Sequence, residues 1–178
     1  PHDISNALAA ALAATHAGAD DQAITETLRH FSYLPHRIEM ISDHKGVRWY
    51  DDSKSTTPHS VTAALESFDN VILIMGGRNK GLDLTVIAPM LNRVKHLIAI
   101  GEASKEIELA FEKKVNVSLA ESMQDAVGIA HTQSYSGDVV LLSPGCASFD
   151  SYKSYKERGL DFAMKVNNLH KEEKNVNN

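Results

Sequence analysis

Short runs of continuously apolar residues alternate with amphipathic stretches along most of the chain. Apolar side chains recur at helical spacing in residues 58–68, 84–94, 104–113 and 122–134. The apolar runs follow these stretches at residues 71–75, 97–100, 115–119 and 139–142. Strands that are apolar on both faces and alternate with helices are typical of a parallel sheet covered on both sides. The pattern therefore predicts an α/β fold: a doubly wound, mostly parallel sheet with helices on both faces.

The residues before this alternation predict a helical entry and a hairpin. Apolar residues at helical spacing indicate two helices before Pro35, whose ring ends the helical pattern. Residues 37–41 and 47–50 then predict two short strands, with residues 43–46 as the turn between them. We therefore expect a hairpin ahead of the regular helix and strand units.

The end of the chain predicts one more helix and a tail. The helix covers about residues 152–169, and the tail that follows is charged and rich in Asn. Such termini are poorly ordered unless they are tied down, so we expect residues 171–178 to be disordered. The sequence thus divides into a helical segment (1–34), an α/β domain (35–170) and the tail.

Composition narrows the class of protein. The chain has 178 residues, of which 43% are hydrophobic and 23% charged, and a formal net charge of −5. These values suit a globular domain and give no cluster of positive charge for nucleic acid. No apolar run approaches the roughly 18 to 20 residues that a membrane-spanning helix needs.

Cysteine and histidine usage excludes two kinds of site. The single cysteine, Cys146, rules out a disulfide within the chain and favours a reducing compartment. The histidines include no His-x-x-x-His pair, so we expect no protein-bound zinc.

Loops at the carboxyl ends of the predicted strands are the first candidates for chemistry, because doubly wound sheets bind ligands there. One such loop, residues 51–59, combines acids, hydroxyl groups and Lys54. Thr57 and Pro58 are typical of a helix N-terminus, as the N-cap and the first helical residue. A cap does not need Lys54 or paired aspartates, so a ligand role stays open beside it.

A second loop, residues 76–83, looks like a phosphate loop but departs from that motif. Leu82 follows Gly81 where the motif requires Lys, so this chain has no P-loop here. Arg78 and Lys80 at a strand end suit a carboxylate ligand. Solvated basic residues before a capped helix explain them equally well.

A third loop, residues 143–152, is built mainly from small residues and leads into the last predicted helix. Small residues let the backbone approach a ligand, and free N–H groups at a helix start stabilise negative charge. The alternative is a tight connection without a ligand. Spacing gives Cys146 no activating partner, so we interpret it as a small buried side chain rather than a nucleophile.

Five segments, read in order, closely resemble the Mur ligases. They cover residues 36–39, 52–58, 76–83, 142–150 and 157–159. The Asp-Ser-Lys-Ser-Thr segment and the Ser-Pro-x-x-Ala-Ser-Phe-Asp segment are similar to the branch of the family that adds D-glutamate. The resemblance runs from about His2 to about Val166 and implies the family's Rossmann-like C-terminal domain.

The resemblance implies an activity for the whole enzyme rather than for this domain alone. It implies ATP-dependent amide-bond formation between UDP-N-acetylmuramoyl-L-alanine and D-glutamate, in the cytoplasmic synthesis of peptidoglycan precursors. ATP and Mg²⁺ are implied to bind mainly to a central ATPase domain, and UDP-N-acetylmuramoyl-L-alanine to an N-terminal domain. Residues 1–34 are implied to be the helical end of that central domain or a linker. A monomer that binds neither nucleic acid nor membrane is implied, and an isolated fragment should be inactive.

Carried over position by position, the resemblance implies roles for individual residues. The residues implied to contact the adenine and ribose of the nucleotide are Asn6, Arg37 and Asp52. The residues implied to hold one carboxylate of D-glutamate are Thr56 and Lys80. The residues implied to hold the other are Ser148, Phe149 and Tyr155, with Lys54 steering anionic groups. No catalytic residue and no metal ligand is implied in this domain.

Two other interpretations remain open. A free-standing module could bind an anionic metabolite through the same strand-end loops. Alternatively, the chain belongs to a ligase of the same type that adds another amino acid.

Overall fold

The computed structural model describes residues 2–31 and 34–176, with side chains for residues 4–31 and 34–171. Contacts within the chain divide it into two units, Pro1–Leu34 and Pro35–Asn178.

The first unit is a pair of helices, α1 (His2–His16) and α2 (Asp21–Arg29). Asp20 caps α2, since its carboxylate accepts a hydrogen bond from the backbone N–H of Ala23 at 2.8 Å. Helix α1 exposes a row of large apolar side chains, Ile4, Leu8 and Leu12. Both helices agree with the predicted helical entry.

The second unit is built on a six-stranded sheet with the order β1-β2-β6-β3-β4-β5. Its strands are β1 (Glu39–His44), β2 (Val47–Asp51), β3 (Val71–Gly76), β4 (Val94–Ile100), β5 (Val117–Ala120) and β6 (Val139–Gly145). β1 pairs with β2 in an antiparallel hairpin, and all the other pairs are parallel. The predicted doubly wound, mostly parallel sheet is confirmed.

Helices cover both faces of this sheet. They are α3 (Pro58–Leu65), α4 (Ser104–Phe111), α5 (Met123–Gln133), α6 (Tyr155–Val176) and a 3₁₀ helix (Leu84–Arg93). Leu73 and Met75 of β3 join the core formed with α3, the 3₁₀ helix and α4, whereas Ile72 and Ile74 join the core formed with α5 and α6. Because alternate residues of a strand point to opposite faces, burial on both faces requires the continuous apolar runs seen in the sequence.

The segment from residue 84 onward forms a 3₁₀ helix, so the regular helix expected over residues 84–94 is wrong in type. Pro89 lies inside it. Proline has no N–H to donate to the carbonyl four residues earlier, and its ring collides with that carbonyl in an α-helix. The tighter helix still buries Leu84, Ile87 and Leu91 against the sheet.

Helix α6 extends to Val176, beyond the predicted end near residue 169. It therefore enters the segment 171–178, whose last two residues lie outside those described. The disorder of that tail stays a prediction. No helix in residues 2–31 and 34–176 is both long enough and apolar enough to cross a bilayer.

Candidate functional site

The carboxyl end of β6 lies where the sheet changes its winding direction. The connections that follow β2, β3 and β4 cross the face covered by α3 and α4, whereas α5 and α6 cover the other face. β6 lies between β2 and β3. Doubly wound sheets bind ligands in the crevice at such a point.

In this chain the guanidinium of Arg158 occupies that crevice. Arg158 is 3% exposed. It donates hydrogen bonds to Ser53 O at 2.9 Å, to Cys146 O at 3.1 Å and to Gly76 O at 3.4 Å. Burial lowers the pKa of its guanidinium to about 10, so the group stays charged at neutral pH. One side chain thus ties together the loops after β2, β3 and β6.

A buried pair, His36 and Asp51, joins the segment before β1 to the last residue of β2, where the next loop starts. His36 Nδ1 and Asp51 Oδ2 lie 2.7 Å apart, and the other carboxylate oxygen of Asp51 accepts from Ser53 N at 2.8 Å. Burial raises the pKa of the Asp51 carboxyl, and the His36 hydrogen bond opposes that shift. Gly159 of α6 packs directly on this pair, because a Cβ there would collide with both side chains.

Asp52, the first residue after β2, is also buried, with 3% of its surface exposed. Its carboxylate accepts from Ser143 Oγ at 2.8 Å and from Ile38 N at 3.3 Å. Burial raises the pKa of Asp52 to about 6, although hydrogen bonds from Ser55 and Ser143 favour the ionised form. A carboxylate has about four lone-pair sites, so acceptor capacity remains for a further donor.

The structure brings together four of the residues implied for D-glutamate, as two pairs of a cation and an aromatic ring. Lys54 Nζ lies 5.4 Å from the centre of the Tyr155 ring. Lys80 Nζ lies 5.6 Å from the centre of the Phe149 ring. Both distances fall within the usual range for cation–π contacts. Lys80 and Phe149 are exposed, and Lys54 and Tyr155 are half-buried.

The other implied residues are placed as follows. Thr56 is half-buried just before the cap of α3, and Ser148 is buried, with its carbonyl accepting from Tyr152 N at 2.8 Å. Arg37 is exposed beside the buried Asp52 loop. Asn6 is exposed on α1, in the first unit.

The loop of residues 76–83 separates its two basic side chains. Arg78 donates two hydrogen bonds to the Glu102 carboxylate, at 2.8 and 2.7 Å, so its guanidinium is engaged on the surface. Asn79 closes the turn by accepting from Leu82 N and donating to Leu82 O, both at 3.0 Å. Of the pair expected to suit a carboxylate, Lys80 is the one that lies against the aromatic ring.

Two expectations about local structure are confirmed. Thr57 caps α3 by accepting from the backbone N–H of Ser60, and Pro58 stands in the first turn. Cys146 is buried, and burial raises the pKa of its thiol to about 11, so the thiol stays protonated and unreactive at neutral pH.

A cavity of about 320 Å³ opens beside this site, on the α5 and α6 side of β3 and β4. Its wall includes Gly77, Gly101, Asp150 and Tyr152. None of the six residues implied for D-glutamate is among its described lining residues.

Among the described residues, one group of side chains comes close enough to share a metal ion: His36, Glu39 and Asp51. Two of the three are already joined by the 2.7 Å contact, and Glu39 Oε2 accepts from His36 N at 2.9 Å. Mg²⁺ prefers oxygen ligands and several waters in octahedral geometry. His36 and Asp51 are buried and bonded to each other, and the exposed Glu39 already bonds the His36 backbone, so this group does not fit it.

The residues that hold the loops together, Arg158 and Ser53, lie in segments that resemble the Mur ligases, but the sequence predicted no role for either. Arginine is mostly exposed in proteins, so its type did not indicate a buried position. The available signal was Gly159, because a glycine inside a helix often marks a close approach of another group.

Most of the chain is similar in sequence to proteins of known family. The family model described as "Mur ligase, glutamate ligase domain" matches residues 36–146. The UDP-N-acetylmuramoylalanine--D-glutamate ligase of Chlamydia felis is 44% identical over 171 residues, which cover 94% of this chain and 41% of the relative. The enzyme of the same name from Geotalea uraniireducens is 42% identical and covers 94% of this chain and 38% of its own length. The chain therefore spans about two fifths of the length of these relatives.

Solved structures support the fold. UDP-N-acetylmuramate-alanine ligase MurC from Thermotoga maritima aligns with a TM-score of 0.69 at 15% identity, over 94% of this chain and 38% of that one. A bifunctional folylpolyglutamate synthase/dihydrofolate synthase from Yersinia pestis aligns with a TM-score of 0.58 at 19% identity, over 85% and 34%. At these identities the likeness concerns the fold alone.

Proposed function

This chain belongs to the Mur ligase family, and from that premise we propose that it supplies the D-glutamate-binding, nucleotide-contacting C-terminal domain of a UDP-N-acetylmuramoyl-L-alanine:D-glutamate ligase. The names of the relatives support this substrate pair. In the intact enzyme, ATP phosphorylates the carboxylate of the nucleotide substrate and leaves as ADP. The amine of D-glutamate then attacks the acyl carbon, phosphate leaves, and the amine loses a proton to form the amide.

The observation that carries the proposal is the pair of cations on the two loops that follow β2 and β3, the strands on either side of β6. D-Glutamate has two carboxylates, and Lys54 and Lys80 lie on the loops after β2 and β3. Each ammonium is held against a ring, Tyr155 or Phe149. In our proposal Lys80 and Thr56 hold one carboxylate. The residues that hold the other are Ser148, Phe149 and Tyr155, with Lys54 beside them.

The nucleotide contacts are proposed around Asp52, where the segment before β1 meets the loop after β2. Arg37 is exposed there, and the Asp52 carboxylate retains acceptor capacity that suits ribose hydroxyl groups. Asn6, on α1 of the first unit, is proposed separately as a nucleotide contact. We propose further that residues 1–34 are the helical end of the central ATPase domain or a linker. ATP and Mg²⁺ then bind mainly outside this chain, in a cytoplasmic, monomeric enzyme.

In this scheme the domain contributes by positioning rather than by acid–base chemistry. Holding the amine at the acyl carbon turns a bimolecular step into an effectively intramolecular one, an advantage of up to about 7 to 11 kcal/mol in favourable cases. Closure of the domain would also keep water away from the acyl phosphate.

The test is ATP-dependent phosphate release by the intact ligase with UDP-N-acetylmuramoyl-L-alanine. D-Glutamate is compared with L-glutamate, D-aspartate, L-lysine and no amino acid. We expect release to require D-glutamate and to collapse in Lys80→Ala, whereas Lys113→Ala, at an exposed lysine beyond α4, leaves it unchanged.

Other outcomes would redirect the proposal. Release that requires a different amino acid would identify a ligase of the same type with another substrate. No release with any amino acid would favour a free-standing binding module for an anionic metabolite.

A further inference from the structure

We propose that Ser53 is a positioning residue for D-glutamate, which fixes the start of α6, and with it Tyr155, against the loop that carries Lys54. This inference rests on the proposed function, because it needs Lys54 and Tyr155 to contact the amino acid. Ser53 itself is not proposed to touch any substrate.

Every polar atom of Ser53 is engaged, and the residue is 0% exposed. Its N–H donates to Asp51 Oδ1 at 2.8 Å, and its carbonyl accepts from Arg158 Nη2 at 2.9 Å. Its hydroxyl donates to Tyr155 O at 2.8 Å and accepts from Arg158 Nε at 3.0 Å. The side chain thus joins two elements that are about a hundred residues apart in the sequence.

The hydroxyl has a role that few side chains could fill in this space. It must donate to a carbonyl and accept from a guanidinium at once, which serine does and alanine does not. Without the hydroxyl, the Ser53 carbonyl would still accept from Arg158. The Tyr155 carbonyl, however, would lose its hydrogen bond to the loop after β2.

The consequence for the ligand site follows from the neighbouring positions. Lys54 comes next to Ser53 in the chain, and its ammonium lies 5.4 Å from the ring of Tyr155. Tyr155 is the first residue of α6. Ser53 therefore sets the spacing between the two groups, and a shift of about 1 Å in such a pair can cost two orders of magnitude in rate.

The test uses Ser53→Ala in the intact ligase, with the KM values for D-glutamate and for ATP measured separately. We expect the KM for D-glutamate to rise about tenfold, since the two buried hydrogen bonds of the hydroxyl are lost, while the KM for ATP stays within about twofold. The matched control is Ser118→Ala, which removes a hydroxyl bonded to His96 on β4, away from the site. It should change neither KM.

Two further variants separate positioning from general support of the fold. Ser53→Cys fills the same space but forms only weak hydrogen bonds, so it should raise the same KM even if the alanine variant folds poorly. In a Tyr155→Ala background, Ser53→Ala should add little further loss, because the two residues act as one unit.

Three results would overturn the inference: an unchanged KM for D-glutamate, an equal rise in both KM values, or additive losses in the double variant. A wild-type enzyme that does not need D-glutamate would overturn the proposed function as well. An active, D-glutamate-dependent wild type with an unaffected Ser53→Ala variant would remove this inference alone.

Discussion

The loops at the two ends of the parallel strands bury their charged groups to different degrees. We call these ends the carboxyl edge and the amino edge of the sheet. At the carboxyl edge, Arg158 and Asp52 are buried and bonded to backbone and hydroxyl groups of neighbouring loops. At the amino edge, Lys95 Nζ lies 2.6 Å from Asp138 Oδ2, and the lysine side chain is 41% exposed. Both edges connect strands through loops, but the carboxyl edge buries both of these groups, whereas the amino edge pairs the buried Asp138 carboxylate with a lysine that stays partly hydrated.

The difference shows what each edge is built for. Removing a charge from water is costly, and even well-bonded buried ions add little net stability compared with apolar residues. An ion pair with one partly exposed partner, such as Lys95 with Asp138, loses less hydration on folding and contributes little to stability. The buried charges of the carboxyl edge therefore add little stability, but they fix the positions of the loops that carry the candidate site. Among the described residues, the amino edge carries no candidate site.

The variant with the largest expected effect on this comparison is Arg158→Met. It replaces the side chain with an unbranched one and removes its hydrogen-bond donors. The carbonyls of Ser53 and Cys146 and the Ser53 hydroxyl would lose their buried partner. We expect the free energy of unfolding to fall by more than about 3 kcal/mol. Urea unfolding followed by the fluorescence of Trp49 measures the change. Trp49 is the single tryptophan of the chain and is buried in the α/β unit.

Arg158→Lys is the comparison for this variant. It retains the charge but not the planar fork of donors, so it should recover only part of the loss. A loss below about 1 kcal/mol in Arg158→Met would mean that the carboxyl edge does not depend on this residue.

A second test uses the pH dependence of stability through Asp52. Burial raises its pKa to about 6, above the value near 3.9 expected in the unfolded chain. Between these values the folded state binds more protons than the unfolded state, so stability falls as pH rises from about 4 to 6. Relative to Asp52→Asn, the wild type should lose about 2 to 3 kcal/mol between pH 4 and pH 7 in urea unfolding.

The matched control for the pH test is Asp83, an exposed carboxylate that caps the 3₁₀ helix. Hydrogen bonds from Thr85 lower its pKa, so it adds stability above its unfolded pKa and loses it as pH falls. Asp83→Asn should therefore remove a slope of the opposite sign. Equal slopes for wild type and Asp52→Asn would show that Asp52 is not desolvated as the structure indicates.

A third test compares two helical glycines. In Gly159→Ala the new methyl group would meet His36 and Asp51, so we expect a loss of about 1 to 3 kcal/mol. In Gly128→Ala, on α5, nothing lies within 4 Å of the new Cβ. That variant should gain about 0.5 to 1 kcal/mol from helix propensity alone. Thermal or urea unfolding of both variants decides the sign, and a gain at Gly159 would contradict the close packing of α6.

The parts of the fold that the sequence predicted are those set by local pattern. β3 is buried on both faces, which demands an uninterrupted apolar run, and Thr57 with Pro58 satisfies the rules of a helix start. The 3₁₀ helix escaped prediction because its apolar spacing is helical and only Pro89 separates the two helix types.

The residue pattern predicted the candidate site only as far as its loops, and the roles of single residues came from the family resemblance and stay predictions. Lys54, Lys80 and Phe149 lie on loops that follow strands, where the fold class places ligands, and Tyr155 begins α6. The bonds that join those loops connect residues far apart in the chain, as between Arg158 and Ser53. No local periodicity records such a contact, so it could be found only in the folded structure.

The smallest expected effect is at the amino edge, in Lys95→Met. The variant breaks the contact with Asp138 and the approach of Lys95 Nζ to the Tyr135 ring at 4.7 Å, but Asp138 still accepts from Tyr135 N. We expect a loss below about 1 kcal/mol that shrinks further in 1 M salt, since screening weakens partly exposed pairs. A loss comparable to that of Arg158→Met, or one insensitive to salt, would break the comparison, because the amino edge would then hold its charges as tightly as the edge that carries the candidate site.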